Sequence, residues 1–134
     1  MTIPVTKWIK ENVSTDDAPA AVGPYSQAVC AGPFVFVSGQ LGLVPGTRQF
    51  AGETIAEQTE QAMENIAAIL DAACSSLEQV LKVTVYFEDL SDFSKFNEVY
   101  AGYFKDDPPA RAALEASDLP MDALVEIDVI ALRD

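Results

Sequence analysis

Near its end the chain reads Leu124-Val-Glu-Ile-Asp-Val-Ile-Ala-Leu132. Side chains alternate between faces along a strand. Val125, Ile127, Val129 and Ala131 make one apolar face, while Leu124, Ile130 and Leu132 leave apolar groups on the other. A strand that is apolar on both sides needs a packed layer on each. The remainder of the 134 residues supplies two amphipathic helices, enough for one face only. The other face is expected to pack against another subunit. The pattern implies an oligomer without giving its number.

The first helix is read from Ile55, Thr59, Ala62, Ile66, Ile69/Leu70 and Ala73, which recur at helical spacing opposite Glu57, Glu60, Gln61, Glu64 and Asp71. Thr54 with Glu57 has the capping-box pattern, so the helix is expected over about 54–74. Residues 80–88 alternate and predict a strand. A second helix, capped by Ser91 or Asp92, carries the stripe Phe93, Phe96, Tyr100 and Tyr103/Phe104 and is expected to end at Pro108-Pro109. Phe34–Ser38 reads as a strand between Gly32-Pro33 and Gly39, and Leu43–Gly52 as a loop or hairpin end. Residues 110–116 and 124–132 read as two more strands. The order is strand pair, helix, strand, helix, strand pair. That predicts one α+β domain over 1–134, a mixed sheet with both helices on one face, after a loose polar lead-in over residues 1–17.

Composition limits the chemistry. The chain has no histidine, so a Ser-His-Asp triad, a Cys-His pair and a His-ligated zinc are impossible. A general base must come from Asp, Glu, Lys, Tyr, a thiolate or a bound water. The net charge is −13, and the eight cations are scattered. Neither nucleic acid nor an anionic membrane surface suits such a chain. A small anion is still allowed, because a desolvated arginine acts at short range. Cys30 and Cys74 lie far apart without a CxxC motif and read as small buried thiols of a cytoplasmic protein. No window approaches the ~18 apolar residues of a membrane span.

Arg111 is conspicuous in Pro108-Pro-Ala-Arg-Ala-Ala-Leu114, the only cation with apolar or proline neighbours for three positions on each side. A desolvated guanidinium needs a carboxylate, and its planar fork suits one bidentately. That carboxylate is either internal, as in an ion pair with Glu126, or a ligand's. Glu126 lies mid-strand with Asp128 on the same face, which fits an acid/base carboxylate of raised pKa, half of an ion pair, or a solvated face. These two acids lack further partners at metal-ligand spacing, so no metal is expected. Asn97 falls on the apolar stripe of the second helix, where it either ties down a loop or faces a pocket. Tyr25 and Ser38 are hydroxyls beside backbone shaped by glycine or proline.

Several segments together resemble the Rid family, the YjgF-like reactive intermediate/imine deaminases. They are APAAVGPYSQAV (18–29), FVFVSGQLGL (34–43), EQTEQAMENIAAIL (57–70), VLKVTVYFEDLSDFSKFNEVY (80–100) and PPARAALEASDLP with LVEIDVIA (108–131). The resemblance implies a chorismate-mutase-like (bacillus-type) sandwich assembled as a homotrimer, with an active site at each subunit interface. It also implies hydrolysis of 2-imino or enamine acids to 2-keto acids and ammonia, without metal or organic cofactor. By position, Arg111 matches the arginine that grips the substrate carboxylate and Glu126 the glutamate that activates water. Tyr25, Ser38 and Asn97 match the substrate-binding tyrosine, serine and asparagine. Ala113 departs from the Cys, Ser or Thr of many bacterial members, so no mechanism can use a side-chain nucleophile there. The loop before Arg111 is also short. Competing readings are a non-catalytic trimer that binds or senses a small carboxylate, a specialised deaminase or hydrolase of a related metabolite, and an RNase or translation inhibitor.

Overall fold

The computed structural model describes residues 7–134. Its strands are β1 (Glu11–Val13), β2 (Ala28–Ala31), β3 (Phe34–Gln40), β4 (Val80–Phe87), β5 (Ala110–Glu115) and β6 (Val125–Leu132). The helices are α1 (Ile55–Ala72) and α2 (Phe93–Tyr100). One six-stranded sheet forms in the order β1-β2-β3-β6-β4-β5. Every neighbouring pair is antiparallel except β4 and β5. Those two run parallel because α2 carries the chain back across the sheet between them, as a parallel crossover requires. The fold is α+β, as its sequence pattern predicts.

The core lies between the sheet and α1. Val125, Ile127, Val129 and Ala131 are buried on the helix side together with Val83, Val85 and Phe87 of β4. Met63, Ile66, Ile69 and Leu70 of α1 are fully buried above them, each worth ~1.5–3 kcal/mol of burial. On the open face, Phe36 pairs in register with Ile130 and is 46% exposed. Leu114 and Leu132 are exposed there as well.

Four expectations need correction. Glu11–Val13, within the expected loose lead-in, forms an edge strand on β2, and residues 1–6 lie outside the described part. The two C-terminal strands do not pair with each other, because β6 inserts between β3 and β4 and leaves β5 at the edge. The second helix ends at Tyr100, well before Pro108-Pro109, and its entry is held by Asp89, whose carboxylate accepts from the Ser91 amide at 2.9 Å. Cys30 is buried, but Cys74 is exposed just past α1 at a φ of 61°.

Candidate active site

Glu126 projects from β6 onto the open face, beside the Ser38-Gly39 stretch of β3. The register of β3 against β6 shifts between Val37 and Gln40. There the Glu126 carboxylate lies across Gly39, whose missing Cβ would collide with it. A side chain at position 39 would evict the carboxylate. The Ser38 hydroxyl donates to the Ser26 carbonyl at 2.6 Å. Tyr25 is 52% exposed, and its hydroxyl accepts from the Val22 amide at 3.4 Å. Tyr25, Ser38 and Glu126 thus line one cleft of about 890 Å³, with Pro19, Leu41 and Met121 among its apolar walls.

The cleft owes its shape to buried amides that the sequence did not single out. Gln27 accepts from the Thr15 amide at 2.7 Å and donates to the Pro19 carbonyl at 2.8 Å, anchoring the loop that carries one wall. Asn65 on α1 donates to the Leu41 and Leu43 carbonyls at 3.1 and 2.9 Å. Gln58 accepts from the Leu124 amide at 2.9 Å. A buried polar side chain at helical spacing among apolar residues was the available signal for Gln58 and Asn65. Gln27 sits in a loop and offered no such periodicity.

The electrostatics of the cleft centre on its carboxylate. Burial pushes the Glu126 carboxyl above the ordinary glutamate range, and the neighbouring Asp128 charge adds to the rise. Asp128 is itself raised by burial, with Tyr86 and Lys82 pulling the other way. Among the described residues, no group of three His, Cys, Asp or Glu side chains is placed to hold a metal ion.

Arg111 lies elsewhere. It is in register with Val83, whose side chain faces the helices, whereas Glu126 is in register with Tyr86 on the opposite face. The two are therefore separated by the sheet, and of the alternatives for Arg111 the ion pair with Glu126 does not form within one chain. Within the single chain Arg111 is exposed on the edge strand. Its Nη1 donates to Asn97 Oδ1 at 2.8 Å, and its guanidinium carbon stands 4.8 Å from the Tyr100 ring centroid and 5.2 Å from that of Phe93. Asn97 therefore bonds to this side chain rather than tying down a loop. It steadies a cation. Among the described residues the ion pairs are Lys95–Glu98 and Arg133–Glu11, so the Arg111 fork has no carboxylate of its own chain.

The family profile described as Endoribonuclease L-PSP matches residues 15–133. The chain belongs to the Rid (YjgF/L-PSP) family. This Rid-family chain is 51% identical over 126 residues to a RutC family protein of Pyrococcus horikoshii, covering 94% of this chain and all of the relative. It is 44% identical over 129 residues to the 2-iminobutanoate/2-iminopropanoate deaminase of Bos taurus, covering 96% of this chain and 94% of that one. The crystal structure of RidA from an Antarctic Psychrobacter superposes with a TM-score of 0.88 at 47% identity, covering 91% of this Rid chain and 98% of that one. The Rid fold expected from the sequence is the one observed.

Proposed function

We propose that this Rid protein is a deaminase that hydrolyses 2-imino acids, and the enamines in equilibrium with them, to 2-keto acids and ammonium. The observation that carries the reading is Arg111. In a chain with 21 acidic residues, this arginine is held by a neutral amide and aromatic rings, and its fork is left for an external carboxylate. The bovine relative's name supports the same substrate class.

A protonated imine carbon is already electrophilic, so water suffices as the nucleophile. Arg111 binds the substrate carboxylate by a charge-assisted fork, which orients C2 and lowers the entropic cost of attack. Glu126 orients the water and takes its proton as the C2–O bond forms. It returns that proton to nitrogen, and as the C2–N bond breaks the regenerated Glu126 carboxylate takes the remaining hydroxyl proton, so that the carbonyl forms. The departing ammonia receives this second proton and leaves as ammonium. A carboxyl raised by burial is better matched to both transfers than an ordinary one. The Ser38 proton is committed to the Ser26 carbonyl, so Ser38 can only accept from water or the substrate ammonium. Tyr25 accepts from Val22 and keeps its own proton to donate.

Arg111 and Glu126 stand on opposite faces of one sheet, so the reaction needs the arginine of one copy beside the glutamate of another. The open apolar face supplies a surface for that contact, and a closed trimer is the assembly proposed. The ribonuclease reading is disfavoured by the net charge of −13 and the absence of histidine.

Coupling an amino-acid oxidase to semicarbazide trapping tests the reaction. Wild type is expected to suppress semicarbazone formation from the released 2-iminobutyrate, and Arg111→Ala to lose that suppression at unchanged fold. Calorimetric binding of 2-ketobutyrate without any acceleration of hydrolysis would make the protein a binder instead.

A further inference from the structure

We propose that Tyr100 is a positioning residue for the substrate carboxylate, acting through Arg111. The inference rests on the role of Arg111 proposed above. Arg111 extends from an edge strand, where a long side chain would ordinarily sample many rotamers. Three aromatic rings of α2 limit it, with the guanidinium carbon 4.8 Å from the Tyr100 centroid, 5.2 Å from Phe93 and 6.0 Å from Phe96. Asn97 fixes the guanidinium in its plane through Nη1 at 2.8 Å. One face and one nitrogen are thereby committed, and the rest of the fork is left to a ligand.

Tyr100 is the nearest of the three rings and is itself immobilised. It is 7% exposed, stacks on Phe96 at 5.3 Å and packs at a tilt against Phe104 at 4.9 Å. Phe96 in turn meets Phe87 of β4 edge-on at 5.0 Å. A continuous aromatic column therefore runs from the sheet core to the guanidinium. The Tyr100 hydroxyl is buried with no hydrogen-bond partner among the described residues. Burial raises the pKa of the Tyr100 hydroxyl, and the nearby Arg111 charge partly offsets that rise. With no well-formed hydrogen bond on the hydroxyl, the main contact Arg111 receives is the ring face, a cation–π contact that steadies the charge without neutralising it. A carboxylate in the same place would also fix the arginine, but it would occupy the fork.

The test compares Tyr100→Phe, Tyr100→Leu, Arg111→Ala and the Tyr100→Leu/Arg111→Ala double variant. Calorimetry gives 2-ketobutyrate affinity, the coupled assay gives KM and kcat, and thermal melts follow the fold. Tyr100→Leu is expected to weaken 2-ketobutyrate binding about tenfold and to raise KM more than it lowers kcat. Tyr100→Phe is expected to restore both to within about twofold. In the Arg111→Ala background, Tyr100→Leu is expected to add nothing. An equal further loss in that background would overturn the inference, as would a Tyr100→Phe protein as weak as Tyr100→Leu. Unchanged 2-ketobutyrate binding by Arg111→Ala would instead overturn the carboxylate role of Arg111, and the present inference with it. If Tyr100→Leu does not fold, Tyr100→Met provides the same comparison, since it too removes the ring.

Discussion

In the proposed reaction Glu126 carries two opposed demands. It must ionise to take a proton from water, yet it is partly buried beside Asp128, and both circumstances favour the protonated form. The sign follows from linkage. A carboxyl whose folded pKa is raised binds more protons folded than unfolded, so its ionisation at neutral pH costs stability. Acidification through the raised value relieves that cost while removing the base. The acid limb of kcat/KM is therefore expected above the ordinary glutamate pKa of about 4.3. Asp128→Asn should move this limb to lower pH without bringing it to the ordinary value, because burial, the larger cause, persists. A limb unmoved in Asp128→Asn would show that the Asp128 charge does not reach Glu126. At this scale the sequence was informative about identity and less so about surroundings. Glu126 was conspicuous as a mid-strand acid, and Arg111 as a cation among apolar neighbours. That aromatic rings rather than a carboxylate meet Arg111 depends on α2 crossing above β5, a contact between residues 14 positions apart (Arg111 to Asn97) that no local pattern encodes.

α1 was the most legible element because its determinants are local. The capping box forms as its spacing predicts, with Thr54 Oγ1 accepting from the Glu57 amide at 3.2 Å and the Glu57 carboxylate accepting from the Thr54 amide at 3.4 Å. Thr54→Ala removes the N-cap acceptor and is expected to cost about 1 kcal/mol, read as a lower urea midpoint with an unchanged m-value. A loss below ~0.3 kcal/mol would mean that water replaces the cap as well as threonine does. β4 and β6 were legible too, from alternation alone. Strand pairing was not. Whether β5 joins β4 or β6 is decided by how α2 returns the chain, and β5, with Ala110, Ala112 and Ala113 around Arg111, has little periodicity to reveal it. β1 is three residues long and borrows its stability from β2, so the polar run around it read as loose.

At the scale of the molecule, the doubly apolar β6 and the separated residues of the proposed site are both accounted for by the proposed trimer. One face of β6 is covered by α1, while the other presents Ile130 beside exposed Phe36. A second copy over that face would bury apolar surface and would bring a foreign arginine to the cleft of Glu126. Such a site, built from different patches on two copies, implies a head-to-tail interface, and a closed ring is its soluble form. Arg111→Ala and Glu126→Gln are each expected to be inactive alone, yet each retains the half that the other lacks. Refolded together in equal amounts, they are expected to recover about one quarter of wild-type activity, since about one interface in four of a statistical ring pairs both intact residues. Native mass spectrometry would verify that mixed assemblies form. Mixed assemblies without recovered activity would mean that the catalytic pair is not shared between copies, and Arg111 would then have to bind its anion apart from the cleft of Glu126.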